Sequence, residues 1–153
     1  MSTAYDIALY LSGRYECLFG EQIGEMKLHK LLYLAQRESI IRYDQPLFND
    51  KFQGWRFGPV LPGIRYSFQD IINKRQTSKA LDNNTVEIIE AILQMYGKKD
   101  PWSLSRLSHG EYSWQQSRKG MSEYDNGYIP IQVEDIRVDA ERIKERRKML
   151  ETI

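Results

Sequence analysis

Residues 25–43, EMKLHKLLYLAQRESIIRY, contain neither proline nor glycine. Leu28, Leu31, Leu32, Ala35 and Ser39 recur there at helical spacing, which predicts a helix from about Glu25 to about Tyr43 with one packing face. Its other side is chemically mixed. Lys30, Tyr33 and Arg37 stand at i, i+3 and i+7, a cation–aromatic–cation line suited to meeting a partner. Asp44-Gln45-Pro46 ends the helix, because proline pushes its predecessor out of the helical region.

Upstream, Thr3 with Asp6 three residues later reads as the amino-terminal cap of a first helix. Ala4, Ile7, Ala8, Leu11, Tyr15 and Leu18 form its apolar face, and Gly20 ends it. Downstream, the aromatic run Phe52 to Phe57 predicts a short strand that Gly58-Pro59 stops. Gly58 to Pro62 then reads as a stiff extended connection, with Pro62 as the first residue of a helix burying Ile64, Phe68, Ile71 and Ile72. Beside Trp55 and Phe57, the segment Gly58, Pro59, Val60, Leu61 and Pro62 makes a rigid apolar ledge of low conformational entropy, useful for docking.

The polar stretch from Asn73 to Asn84 reads as a loop, with Asn84 and Glu87 capping a helix that buries Ile88, Ile89, Ile92, Leu93 and Tyr96 before Gly97. Asp100-Pro101 starts a short helix with Leu104 and Leu107, followed by a turn at His109-Gly110 and a helical turn around Trp114. Asp125-Asn126-Gly127 has turn chemistry, and Ile129-Pro130-Ile131 is expected to be extended. A charged last helix, about 132–150, repeats Val133, Ile136, Ala140, Ile143 and Leu150, interrupted by Arg147. The expected fold is therefore a mainly α, single compact helical domain with a small β element around residues 52–57.

A chain of 153 residues with 41% apolar and 28% charged side chains can build a core without disulfides or metal. Its one cysteine, Cys17, allows no intrachain disulfide, suits a reducing compartment, and is expected to serve as a small buried hydrophobe. No signal peptide and no membrane span are visible, so a cytoplasmic location is expected. With 22 basic and 21 acidic residues, the net charge exerts no global pull on nucleic acid or membrane.

Catalysis has few parts to draw on, since Cys17, His29 and His109 stand in no recognisable spacing. His29 reads as a structural residue and His109 as a cap on the preceding helix end. No ligand spacing for a metal and no glycine-rich phosphate loop occurs, so no cofactor is expected and the chain is read as a binding protein, not an enzyme. Two basic clusters offer an alternative nucleic-acid surface, through Lys74, Arg75 and Lys79 in the loop and Arg142, Arg146 and Arg147 in the last helix. Glu141, Glu145 and Glu151 interleave with the second cluster, which favours a solvated helix face over a nucleic-acid site.

Three ordered blocks carry a more specific signal: Lys27 to Gln36 (KLHKLLYLAQ), Pro46-Leu47-Phe48, and Trp55 to Pro62 (WRFGPVLP). With Leu104 to Gly110 and the later Trp114 and Arg118, they resemble the SocA-like (Panacea) antitoxin domain family, which includes phage-associated GepA-like proteins. Gly54 departs from the family pattern, in which a larger residue commonly precedes the tryptophan. The resemblance implies a helical domain with a small β element that neutralises a cognate protein toxin by direct contact, and an adaptor role toward a AAA+ protease. The expected contact residues are Lys30, Tyr33 and Arg37 together with Trp55, Phe57, Gly58, Pro59, Val60 and Pro62.

Overall fold

The computed structural model describes residues 1–77 and 79–152. Among these, the chain forms α1 (Ala4–Phe19), α2 (Glu25–Tyr43), strands β1 (Gln53–Trp55) and β2 (Gly58–Val60), α3 (Pro62–Lys74), α4 (Asn83–Tyr96), α5 (Pro101–His109), α6 (Tyr112–Ser117) and α7 (Val133–Glu151). It is a mainly α fold with one small sheet, as the periodicity predicts. Among the described residues, no helix is long and apolar enough to cross a membrane.

Helix α1 opens with the expected reciprocal cap, in which the Thr3 hydroxyl accepts from the Asp6 amide, and closes on Gly20 at φ 73°. Helix α2 lies at the centre, packed against α1, α3, α4, α5, α7 and β2. Every residue from Lys27 to Ile41 is buried. This corrects the expectation of a single packing face: a helix enclosed by five others and a strand has no solvent side. Its apolar residues Leu28, Leu31, Leu32 and Ala35 join Ile7, Leu11, Ile71, Ile88 and Ile92 in one core.

Several of the enclosed polar residues of α2 hydrogen-bond backbone groups in the non-helical segments around them. Gln36 Nε2 donates to the Phe48 carbonyl at 3.0 Å, and its Oε1 accepts from the Leu47 and Phe48 amides at 2.7 and 3.2 Å. Ser39 donates to the Gln45 carbonyl at 2.7 Å. The turn that follows α2 is thus held by side chains of α2 itself, so its buried backbone groups are satisfied without a sheet or helix.

Strands β1 and β2 form an antiparallel hairpin with Gln53 opposite Val60, Gly54 opposite Pro59 and Trp55 opposite Gly58. The stretch expected as a connection after the strand is therefore the second strand, joined to the first by a two-residue turn. Pro59 is tolerated because β2 is an edge. The other side of β1 is covered by the extended Ile129 to Ile131, where the Gly54 amide donates to the Ile129 carbonyl at 3.1 Å and Ile131 to Phe52 at 2.7 Å.

Smaller corrections follow from the packing. Asp82, not Asn84, caps α4 by accepting from the Thr85 amide at 2.8 Å. Leu18 and Leu150 lie on exposed positions near helix ends. Cys17 is exposed too, and not the small buried hydrophobe that was expected.

Candidate functional site

The hairpin turn Arg56-Phe57 is anchored from below and decorated above. The Phe57 carbonyl accepts from Ser105 Oγ at 2.7 Å, and the Trp55 carbonyl from Trp114 Nε1 at 2.8 Å. Held in this way, the turn presents two aromatic rings that each meet a ring from another segment. Trp55 meets Tyr128 edge-on at 6.0 Å, and Phe57 meets Trp102 edge-on at 5.4 Å. The Arg56 guanidinium spans Phe57 and Tyr124, 4.9 and 5.2 Å from their ring centres, while Arg65 lies 5.3 Å above Trp55. Phe57, Trp102, Tyr124 and Tyr128 are exposed by 41, 53, 70 and 66%. Isolated exposed apolar residues are ordinary, whereas here exposed aromatic rings and arginines are grouped in a band around one turn.

Arg118 sets the far edge of this band. Its guanidinium donates to the carbonyls of Gly54, Ser122, Asp125 and Asn126 at 2.9, 3.1, 2.5 and 2.7 Å. The segment bearing Tyr124 and Tyr128 is thereby tied to β1 through one side chain. Burial lowers the Arg118 pKa, since carbonyl partners solvate the charge without neutralising it.

Between the hairpin and the start of α2 lies a groove of about 280 Å³, walled by Met26, Trp55, Phe57 and Val60 and floored by His29 and Lys30. The Leu61 amide donates to His29 Nδ1 at 3.2 Å, so Nε2 carries the proton and points at Glu25, 3.2 Å away. Burial lowers the His29 pKa despite Glu25, which keeps the ring neutral at pH 7. Glu25 in turn is held below the usual carboxylate range, first by His29 and then by Arg65, whose Nη1 lies 3.0 Å from it. Lys30 Nζ donates to the Pro59 carbonyl at 3.1 Å, and burial brings its pKa down to about 8.

The residues expected to contact a partner divide into two groups. Trp55 and Phe57 reach the surface, and Val60 lines the groove. Gly58 and Pro59 are buried in β2, and Pro62 is half-buried at the start of α3. Lys30, Tyr33 and Arg37 are correctly placed on α2 but do not form an exposed stripe, because they are 3, 1 and 3% accessible. Tyr33 shares a hydrogen bond with Ser113 Oγ at 2.7 Å and donates to Asp139 at 3.3 Å, and burial raises its pKa well above 10. Arg37 pairs with Glu111 and donates to the Tyr96 hydroxyl at 3.3 Å. These two residues bind the helices together instead of facing outward.

The alternative basic surface is largely neutralised by ion pairs within the chain. Lys74 lies 3.5 Å from Asp70, Arg75 hydrogen-bonds Glu16 at 2.6 Å, Lys79 lies 3.6 Å from Asp6, and Arg147 forks onto Glu38 at 2.9 Å through both nitrogens. Arg142 lies over the Tyr112 ring at 5.5 Å, and Arg146 borders a cleft beside Arg37 and Glu111. The candidate catalytic residues do not converge. Cys17 is on α1, His29 bridges Leu61 and Glu25, and His109 stacks on Trp114 at 4.2 Å, where it had been expected to cap its helix. Among the described residues, no three His, Cys, Asp or Glu side chains are grouped to hold a metal.

Arg56, Arg65, Trp102, Tyr124 and Tyr128 were not singled out by the sequence reading. Aromatic and arginine density near turns was the available signal, but the residues are far apart in the chain and meet only through the fold.

Comparison with known proteins extends this geometry. Residues 28–115, from α2 into α6 and including the hairpin, match the model described as Antitoxin SocA-like, Panacea domain. Antitoxin SocA of Caulobacter vibrioides (strain NA1000 / CB15N) is 30% identical over 57% of this chain and 55% of that protein, so the match spans about half the relative's length. No solved structure matches. With more than half of its residues inside the domain match, the chain belongs to the Antitoxin SocA-like, Panacea domain family.

Proposed function

We propose that the chain is an antitoxin-like binding module that neutralises a cognate protein toxin by direct contact, and that the aromatic and arginine band around the hairpin is the contact surface. The observation that carries this reading is the band itself: Trp55, Arg56, Phe57, Trp102, Tyr124 and Tyr128 form one partly exposed, prearranged patch. Tryptophan, tyrosine and arginine dominate interface energetics, and side chains already locked by neighbours lose little entropy on binding. Family membership supports the antitoxin role, and the closed internal ion pairs of the basic clusters draw the assignment away from nucleic acid.

The test is co-expression with the product of the neighbouring small-protein gene, scored by growth. Phe57→Ala and Trp102→Ala are expected to weaken complex formation by about 2 kcal/mol or more each, roughly thirtyfold in Kd, while the thermal melt of the free protein stays near that of the unaltered chain. Full protection by both variants would overturn the assignment of this surface. The finer reading, delivery of the toxin to a AAA+ protease, predicts that the toxin's half-life in cells shortens when the chain is present. An unchanged half-life removes the adaptor role and leaves neutralisation by contact standing.

A further inference from the structure

The groove beside the hairpin contains a charge that the fold leaves unbalanced. Lys30 is 3% exposed, and its Nζ donates to the Pro59 carbonyl alone. Among the described residues, no carboxylate lies within ion-pairing distance of it, and Glu25, the acid lining the same groove, is committed to His29 and Arg65. Lys27, the other buried lysine of α2, differs: it donates to both the Tyr15 hydroxyl and the Gly97 carbonyl, at 3.0 and 2.9 Å. A buried ammonium with one neutral acceptor is costly, and such a group is strongly stabilised when an anion reaches it. Lys30 lines an open groove together with the apolar Met26, Trp55, Phe57 and Val60 and the polar Glu25, Arg65 and Asn126.

We propose that this groove receives an aspartate or glutamate side chain of the protein partner, flanked by apolar residues, with the Lys30 ammonium as its counter-ion and Met26, Trp55, Phe57 and Val60 packing around its aliphatic stem. Arg65, already paired with Glu25, borders the same groove. The inference rests on the reading of the hairpin surface as the partner-binding face and names the chemistry recognised there. Charge-assisted hydrogen bonds to a desolvated ammonium are stronger than neutral ones, so a carboxylate is preferred to its amide isostere.

The probes are two synthetic peptides, N-acetyl-Leu-Glu-Leu-amide and N-acetyl-Leu-Gln-Leu-amide, titrated into the full chain and followed through the Trp55 indole and Lys30 side-chain NMR signals at pH 6.5. The glutamate peptide is expected to bind about tenfold more tightly than the glutamine peptide, and Lys30→Met is expected to abolish that preference. Equal binding, no binding by either peptide, or a preference that survives Lys30→Met would overturn the proposal.

If Lys30→Met fails to fold, pH decides on the unaltered chain. The groups facing Lys30 are Glu25 and His29 from α2, Arg65 from α3 and His109 from α5, while the hairpin contributes the Pro59 carbonyl. Glu25 is ionised throughout, both histidines are held neutral by burial, and a guanidinium keeps its proton, so Lys30 is the member of this set that titrates between pH 7 and 9. The preference for glutamate should fall as pH rises through that interval, and a flat profile would overturn the proposal. Loss of protection by Phe57→Ala and Trp102→Ala combined with indifference of the peptides to charge would remove this inference while leaving the docking surface intact. Charge discrimination by the peptides with full protection by those variants would do the reverse.

Discussion

Gly58 has φ 122°, a conformation that side chains rarely adopt, and a Cβ added there would stand 2.6 Å from both Lys30 Cε and Ser108 Oγ. Gly58→Ala is therefore expected to destabilise the chain by about 2–4 kcal/mol, combining backbone strain with overpacking between α2 and α5. Chemical denaturation measures this, and a loss below about 1 kcal/mol would show that the turn relaxes. That the aromatic run changes course near Gly58 was legible in the sequence, although Gly58-Pro59 does not end the pairing as expected but opens β2 opposite Trp55 and Gly54. What it makes room for was not, because Lys30 and Ser108 reach it only through the tertiary fold. Gly54 is similar: a Cβ there would meet Ser117 Oγ at 1.9 Å, so the departure from the family pattern at this position is accommodated by close approach of α6.

At the scale of elements, α2 acts as a rod whose apolar side chains build the core and whose polar side chains fasten the irregular segments. His29 accepts from Leu61, Lys30 donates to Pro59, and Gln36 serves Leu47 and Phe48. The KLHKLLYLAQ block thus places polar groups where the hairpin and the turn after α2 need them. Gln36→Ala strands three buried backbone groups at once, and a cost of about 2–4 kcal/mol is expected by urea denaturation. A cost near that of an exposed glutamine would mean that water replaces the side chain. The length and position of α2 were readable from apolar periodicity. Its complete enclosure was not, because lysine, histidine, arginine and glutamine are ordinarily markers of a solvent face, and apart from the His29–Glu25 contact their partners here lie 11 or more residues away in sequence. The same limit explains the candidate site: Trp55, Phe57 and Val60 were visible as an apolar ledge, whereas Trp102, Tyr124 and Tyr128 join them only once α5 and the segment tied by Arg118 are folded against β1.

Across the whole molecule, α2, α4, α6 and α7 converge on one polar cluster. Arg37 pairs with Glu111 and reaches Tyr96, while Asp139 accepts from the Tyr112 and Ser113 amides at 2.7 and 2.9 Å and from Tyr33. Burial raises the Glu111 pKa from 4.5 to about 7, with Asp139 adding to the shift and Arg37 opposing it. The folded state therefore holds a proton on Glu111 that the unfolded chain has released above pH 4.5. The Glu111 contribution to stability is largest below that pH and falls as pH rises to about 7, by roughly 3 kcal/mol if the full shift is realised. His29 and His109, whose pKa values are lowered by burial, act with the opposite sign over part of the same interval, so the wild-type profile alone does not isolate the carboxyl. Glu111→Gln does, because the amide resembles the protonated acid at every pH and leaves both histidines in place. The stability of Glu111→Gln relative to the unaltered chain, measured by denaturant unfolding at pH 4 and pH 8, is expected to improve with rising pH. The reason is that desolvating a carboxylate and a guanidinium together costs more here than their attraction returns. A variant that instead becomes relatively weaker at pH 8 would show that the Arg37 ion pair outweighs burial, and that this junction is held together by charge.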